Sequence, residues 1–127
     1  MEHKTVTLRN GGSLPKIELR FGNALFAKYE ISLFDQNGRN PQPVTPSPQF
    51  NSDDIPDIFA VGPSVATLDQ QILFWQAAIS VFDNQPGQTY LMRAIISQDD
   101  QQLAVFDKRG PITNTVIDQD TVRFVLE

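Results

Sequence analysis

Three times this chain runs an apolar, strand-like stretch into Phe-Asp and then into a polar segment that ends on glycine. The copies are Ile31-Ser-Leu-Phe34-Asp35-Gln-Asn-Gly38, Ile79-Ser-Val-Phe82-Asp83-Asn-Gln-Pro-Gly87 and Leu103-Ala-Val-Phe106-Asp107-Lys-Arg-Gly110. An Asp can hydrogen-bond its own following backbone and a Gly can take positive φ, so each copy reads as a strand closed by a turn. The same reading places three carboxylates, Asp35, Asp83 and Asp107, at strand ends.

Period-2 alternation dominates the rest of the chain. Ile17 to Phe21, Tyr29 to Leu33 and Thr121 to Leu126 alternate cleanly, and Thr5 to Arg9, Ile58 to Val61, Leu73 to Phe82, Tyr90 to Ser97 and Leu103 to Phe106 are further strand candidates. Turn residues separate them at Asn10-Gly11-Gly12, Gln36-Asn37-Gly38, Asn84 to Gly87, Gln98 to Gln101 and Arg109-Gly110-Pro111. About eight strands at this spacing predict an all-β antiparallel sandwich. With 127 residues, the chain is expected to form one domain, 1–127, large enough to bury a core without disulfide staples.

Two stretches break the pattern. Residues 39–57 carry prolines at Pro41, Pro43, Pro46 and Pro48, which remove ladder donors, and the segment reads as a long proline-rich surface loop. Residues 67–82 admit two readings. Thr67-Leu-Asp-Gln70 resembles a helix capping box, and Leu68, Ile72, Trp75, Ile79 and Phe82 fall at helical spacing, giving an α+β alternative with one helix. Leu73, Trp75, Ala77, Ile79 and Val81 are apolar at period 2, which favours a strand. A strand that contains Leu73-Phe74-Trp75 in succession is apolar on both faces. One face meets the core, and the other, with Ile72 and Phe74, needs a cover: the long loop, a partner protein or another subunit.

Net charge is −5, and the ten Lys and Arg residues are scattered except for Lys108-Arg109, so no basic stripe is available for nucleic acid. No apolar run reaches the roughly 18 residues of a membrane span, and the N-terminus lacks the basic-then-apolar order of a secretory signal. Cysteine is absent, which removes disulfides, thiolate nucleophiles and cysteine metal sites. A cytoplasmic protein and a mature secreted or surface domain without its leader both fit.

Pro86-Gly87-Gln88-Thr89-Tyr90, followed by Met92, Ala94 and Ile96 on one face, resembles the Pro-Gly-x-x-Tyr lead-in to the sixth strand of fibronectin type III domains. The resemblance covers about twelve residues. Asn84 stands where that family usually places leucine, and its early tryptophan is missing. The resemblance implies an immunoglobulin-like plan, a corner role for Tyr90 with its hydroxyl bonded to nearby backbone, and a binding or spacer function.

The catalytic inventory is thin. His3 is the single histidine, in an N-terminus expected to fray, so Ser-His-Asp catalysis and histidine metal clusters have no parts. No nucleotide-binding glycine motif occurs. Acidic pairs for a small carboxylate-dependent hydrolase are available in number, but Glu18 and Glu30 fall on solvent faces of strands. Asp35, Asp83 and Asp107 form a calcium hypothesis if their turns share a pole, with Asn37 and Asn84 as added oxygen donors; Lys108 and Arg109 beside Asp107 oppose it, and a plain turn-forming role fits each Asp. Asp53, Asp54 and Asp57 are a second acidic cluster. Asp99-Asp100 and Asp118-Gln-Asp120 read as turns. Trp75 fits a core position better than a carbohydrate platform. The expectation is therefore a non-catalytic protein-interaction or assembly module, able to pair with itself, without a cofactor and acting through Ile72 and Phe74, with a calcium- or carbohydrate-binding module as the alternative.

Overall fold

The computed structural model describes residues 1–22, 25–45, 49–53, 55–82 and 85–127. Its strands are β1 (Glu2–Leu8), β2 (Lys16–Phe21), β3 (Leu25–Phe34), β4 (Gln42–Pro43), β5 (Gln49–Asn51), β6 (Asp57–Ala60), β7 (Ile72–Val81), β8 (Thr89–Gln98), β9 (Gln101–Pro111) and β10 (Val116–Leu126), with a short 3-10 helix at Val65–Leu68. They form two sheets. The first has the order β1-β10-β7-β3-β4, with β5 also paired to β3; the second has the order β6-β2-β8-β9. The all-β sandwich expected from the alternation is the observed fold. Among the described pairings β1 on β10 is parallel and the others are antiparallel.

Alternation explains which side chains reach the interior. Along β3, Leu25, Ala27, Tyr29, Ile31 and Leu33 are buried, while Phe26, Lys28, Glu30, Ser32 and Phe34 face outward. Along β7, Leu73, Trp75, Ala77 and Ile79 are buried. The second sheet answers with Ile17, Leu19, Phe21, Met92, Ala94, Ile96 and Phe106. Trp75 is fully buried and meets the Phe106 ring edge-on, centroids 4.9 Å apart at 87°, so it is a core residue. At the side where β1 and β9 are the sheet edges, Lys4 spans the gap: its Nζ lies 4.7 Å from the Phe106 ring centroid and donates to the Val105 carbonyl at 2.7 Å.

Residues 72–81 are a strand, and the alternative helix over 67–82 is not formed. Leu73 to Ile79 must fill the core between β3 and β10, which period 2 does and period 3.6 does not. The capping-box residues instead make the 3-10 turn. Gln70 then takes φ 66°, and its N–H joins Phe124 O at 2.8 Å. At Gly62, φ 83°, an added Cβ would come within 2.8 Å of Leu68, so this turn needs glycine to seat a buried leucine.

Four other expectations are corrected. The 39–57 segment is not one free loop: β4 and β5 pair with β3, and Val44 N bonds Ile31 O at 2.9 Å; Pro46 to Pro48 lie outside the described residues. The N-terminus does not fray, because β1 pairs with β10 and His3 hydrogen-bonds Thr121. The third Phe-Asp does not close a strand, since β9 runs through Asp107 to Pro111. Each turn-like residue there has a use within the sheet: Asp107 pairs with Arg93 across the ladder, Lys108 reaches inward to Asp120, and Gly110 leaves room for the Tyr90 ring, 3.2 Å from where its Cβ would be. Finally, Asp118 and Asp120 are strand residues of β10, and Asp120 is completely buried.

Candidate functional site

The outward residues of β3 and β7 make one continuous face, because Phe26, Lys28, Glu30, Ser32 and Phe34 stand opposite Ser80, Ala78, Gln76, Phe74 and Ile72 in register. β10 extends it with Ile117 beside Ala78, Gln119 beside Gln76 and Thr121 beside Phe74. Two apolar clusters sit at its ends. At one end Phe26 packs on Phe50 and Phe82, with centroids 5.7 and 6.4 Å apart, while Phe50 and Phe82 remain 59% and 62% exposed. At the other end Phe34 meets Phe74 edge-on at 6.1 Å, and Met1 and Ile72 join them around a shallow groove. Between the clusters lies a depression of about 260 Å³ lined by Lys28, Tyr29, Glu30, Gln76 and Ala78.

Ile72 and Phe74 are therefore outward and half-buried, as a two-sided apolar strand requires. Of the more exposed aromatics, Phe50 escapes a reading by alternation. Phe50 lies in the proline-rich stretch, on a strand of three residues, and Phe82 reads as a strand terminus. Phe82 carried a usable sign: it shares parity with Ile72 and Phe74.

Phe50 is held by a buried polar knot rather than by a long ladder. Tyr29, buried at the inner side of β3, donates its hydroxyl to Asp57 Oδ2 at 2.6 Å, and Asn51 Nδ2 reaches the same oxygen at 3.1 Å and Ile55 O at 3.0 Å. Burial, and then the Asp57 carboxylate, push the Tyr29 pKa far above its ordinary value, so it remains a neutral donor. The knot fastens β5 and the start of β6 to β3.

A second polar group lies at the sandwich interior between β10, β9 and β8. Lys108 Nζ meets Asp120 Oδ1 at 3.0 Å, and the Glu2 N–H donates to the same oxygen at 2.9 Å. Burial works against the Lys108 charge, but the bond and field of Asp120 outweigh it and its pKa is raised. For Tyr90, burial first, then the neighbouring Asp118 carboxylate, push the pKa up to about 12. Asp118 Oδ2 and Asp120 Oδ2 are buried without a partner among the described residues.

The carboxylates of the calcium hypothesis have separate surroundings. Asp35 closes its own turn: Oδ1 accepts the N–H groups of Asn37 and Arg39, each at 2.9 Å, and Oδ2 accepts Asn40 Nδ2 at 2.8 Å. The backbone bond from Arg39, then the one from the Asn40 side chain, hold it below the usual carboxylate range. Asp107 lies on the outer face of the second sheet between Arg109 and Arg93, at 3.3 and 3.1 Å, and these two arginines lower its pKa. Asp83 lies outside the described residues. Asp35 and Asp107 are on different sheets, and no group of three His, Cys, Asp or Glu side chains placed to hold a metal occurs among the described residues. Glu18 and Glu30 face outward on opposite sheets. The cleft between the β4 and β6 edges, about 510 Å³, is lined by Leu33, Val44, Pro63, Gln71 and neighbours with no acidic residue among them. No helix among the described residues is long and apolar enough to cross a membrane.

Among solved structures, the chain is similar to a domain of unknown function, DUF4425, from Bacteroides vulgatus, with a TM-score of 0.50 and 13% identity over 87% of this chain and 94% of that one. It is also similar to a DUF4425 family protein from Bacteroides ovatus, with a TM-score of 0.46, 11% identity and the same coverage. At such identity the first likeness is one of fold alone. No family model and no curated protein matches the chain.

Proposed function

We propose that this protein is a non-catalytic protein-interaction module whose contact surface is the outer face of the first sheet. The observation that carries the reading is the pair of apolar clusters on that face, Phe26-Phe50-Phe82 and Phe34-Ile72-Phe74, in a chain whose core is already filled by Trp75, Phe21, Phe106 and Phe124. Surplus aromatics exposed together on a rigid sheet cost solubility, and interfaces are enriched in such residues. Support against catalysis comes from the acids: Asp35, Asp57, Asp99, Asp107 and Asp120 are each engaged by their own turn, a tyrosine, a serine, arginines or a lysine.

The test compares wild type with a Phe50→Ser, Phe82→Ser variant, both immobilised and exposed to an extract of the source cells. Each removed side chain is mostly solvated, so both proteins should melt within about 3 °C of one another. The expected result is a binder enriched on wild type and lost on the variant. Identical capture profiles from two equally folded proteins would refute the reading.

A further inference from the structure

We infer that the occupant of this face is a second copy of the same chain, packed face to face with its strands antiparallel. The inference rests on the proposed interaction face and names its partner. It starts from the charges. Among the outward strand residues of the first sheet the charged groups are Lys28 and Glu30, two apart on β3, and Arg123, whose guanidinium is engaged by the carbonyls of Gln70 and Gln36. Lys28 and Glu30 are exposed, make no ion pair among the described residues, and stand at the centre of the face beside its depression.

A two-fold axis lying in the face, across β3 between Lys28 and Glu30, sets Lys28 of each copy against Glu30 of the other. The same operation settles the rest of the surface through the strand register. The Phe26-Ser80 row meets the Ser32-Phe74 row, and Phe82, one row further out, meets Phe34 and Ile72. Phe26 and Phe82 thus cover the apolar cluster of the opposite end, Phe50, in register with Lys28, lies against the Glu30 row, and each lysine meets a glutamate. An axis along the strands instead brings Lys28 against Lys28 and Glu30 against Glu30. A self-complementary surface is what an isologous dimer needs.

The area is sufficient. The sheet's strands contribute 7, 11, 10, 10, 2 and 3 residues from β1, β10, β7, β3, β4 and β5, and at about 4.8 by 3.3 Å per residue they give a face of roughly 680 Å² per copy. That falls within the roughly 600–1,000 Å² per partner of standard-size stable interfaces. Twist of the two sheets sets their strands about 30° apart, a rotation that long Lys and Glu side chains can follow.

Sedimentation of the pure protein from micromolar to about 1 mM tests the pairing. The expected result is a reversible dimer. Lys28→Glu or Glu30→Lys each turn two symmetric attractions into repulsions, so each should raise the dissociation constant roughly tenfold or more. The double exchange Lys28→Glu, Glu30→Lys restores both pairs and should return the constant to within about threefold of wild type. Both positions are exposed, so folding is checked by unchanged melting. A wild type that stays monomeric at about 1 mM, or a double exchange no better than the single ones, overturns the second copy. The extract experiment separates the two levels: a foreign binder lost with Phe50 and Phe82, together with a monomeric pure chain, overturns the dimer and supports the face.

Discussion

Removing Lys108 should hurt this protein more than removing the acid it serves. Asp120 is fully buried, its side chain 1% exposed, whereas the Lys108 side chain is 23% exposed. In Lys108→Met the carboxylate keeps the Glu2 N–H but loses its counter-charge, and an uncompensated buried charge costs about 3–5 kcal/mol. Partial solvation of Lys108 puts the expected loss at the lower end, about 3 kcal/mol. A 127-residue domain has an unfolding entropy of about 0.27 kcal/mol/K, so melting should fall by roughly 11 °C. In Asp120→Leu, by contrast, Lys108 can swing toward solvent, and the main loss is the acceptor of the Glu2 N–H, about 1 kcal/mol. The double variant replaces the pair with apolar volume and removes the unpartnered Asp120 Oδ2, so it should lie within about 1 kcal/mol of wild type. Urea unfolding of the four proteins at neutral pH measures the cycle. Single variants of equal, small cost would refute the buried-charge reasoning.

Four further outcomes are expected. The Lys108 pKa is raised on folding, so its contribution is present at neutral pH and lost as pH rises through the folded value; thermal melts should show an alkaline decline above about pH 10.5 that Lys108→Met, Asp120→Leu lacks. Asp99 is held low first by the Ser13 hydroxyl, then by the Ser13 N–H and Arg9, so its contribution is present above the usual carboxylate range and lost as pH falls below it; Asp99→Asn should flatten that acid limb. Tyr29→Phe leaves Asp57 Oδ2 with Asn51 alone and should cost about 1–3 kcal/mol by urea unfolding, with faster amide exchange in β5. Asp100 sits at φ 62° in the β8–β9 hairpin next to Asp99 at φ 52°, so Asp100→Gly should hold or raise the melting temperature, whereas Asp100→Val should lower it.

The fold was legible because burial on one sheet face writes itself as period 2, and Tyr29 to Leu33 or Leu73 to Val81 carry that signature whatever their neighbours are. What it could not convey was the use of residues with two competing local meanings. Asp107-Lys108-Arg109-Gly110 has the composition of a turn, and only the cross-strand partners Arg93, Asp120 and Tyr90 make it a strand. Asp118-Gln-Asp120 looks solvated until Lys108 arrives from β9. Both are long-range pairings, 12 or more residues apart in sequence, so no local window contains them. Ile72 and Phe74 were readable as one cluster of the face from the two-sided apolar run. The opposite cluster was not, since Phe50 belongs to a three-residue strand held by the Tyr29-Asp57-Asn51 knot and not by its own alternation.

The absence of cysteine makes a direct geometric test simple, because one introduced cysteine is a unique label site. Gln76→Cys lies at the centre of the outer face of the first sheet, and Arg20→Cys lies on the outer face of the second. Sheets packed face to face lie about 10 Å apart, so spin labels at position 76 of two antiparallel copies should fall within roughly 20 Å, whereas labels at position 20 sit beyond a further sheet on each side, more than about 30 Å apart. A short distance at position 76 with a long one at position 20, both lost in Lys28→Glu, is the result that face-to-face pairing predicts. No dipolar coupling at position 76, or a short distance at position 20, would contradict it.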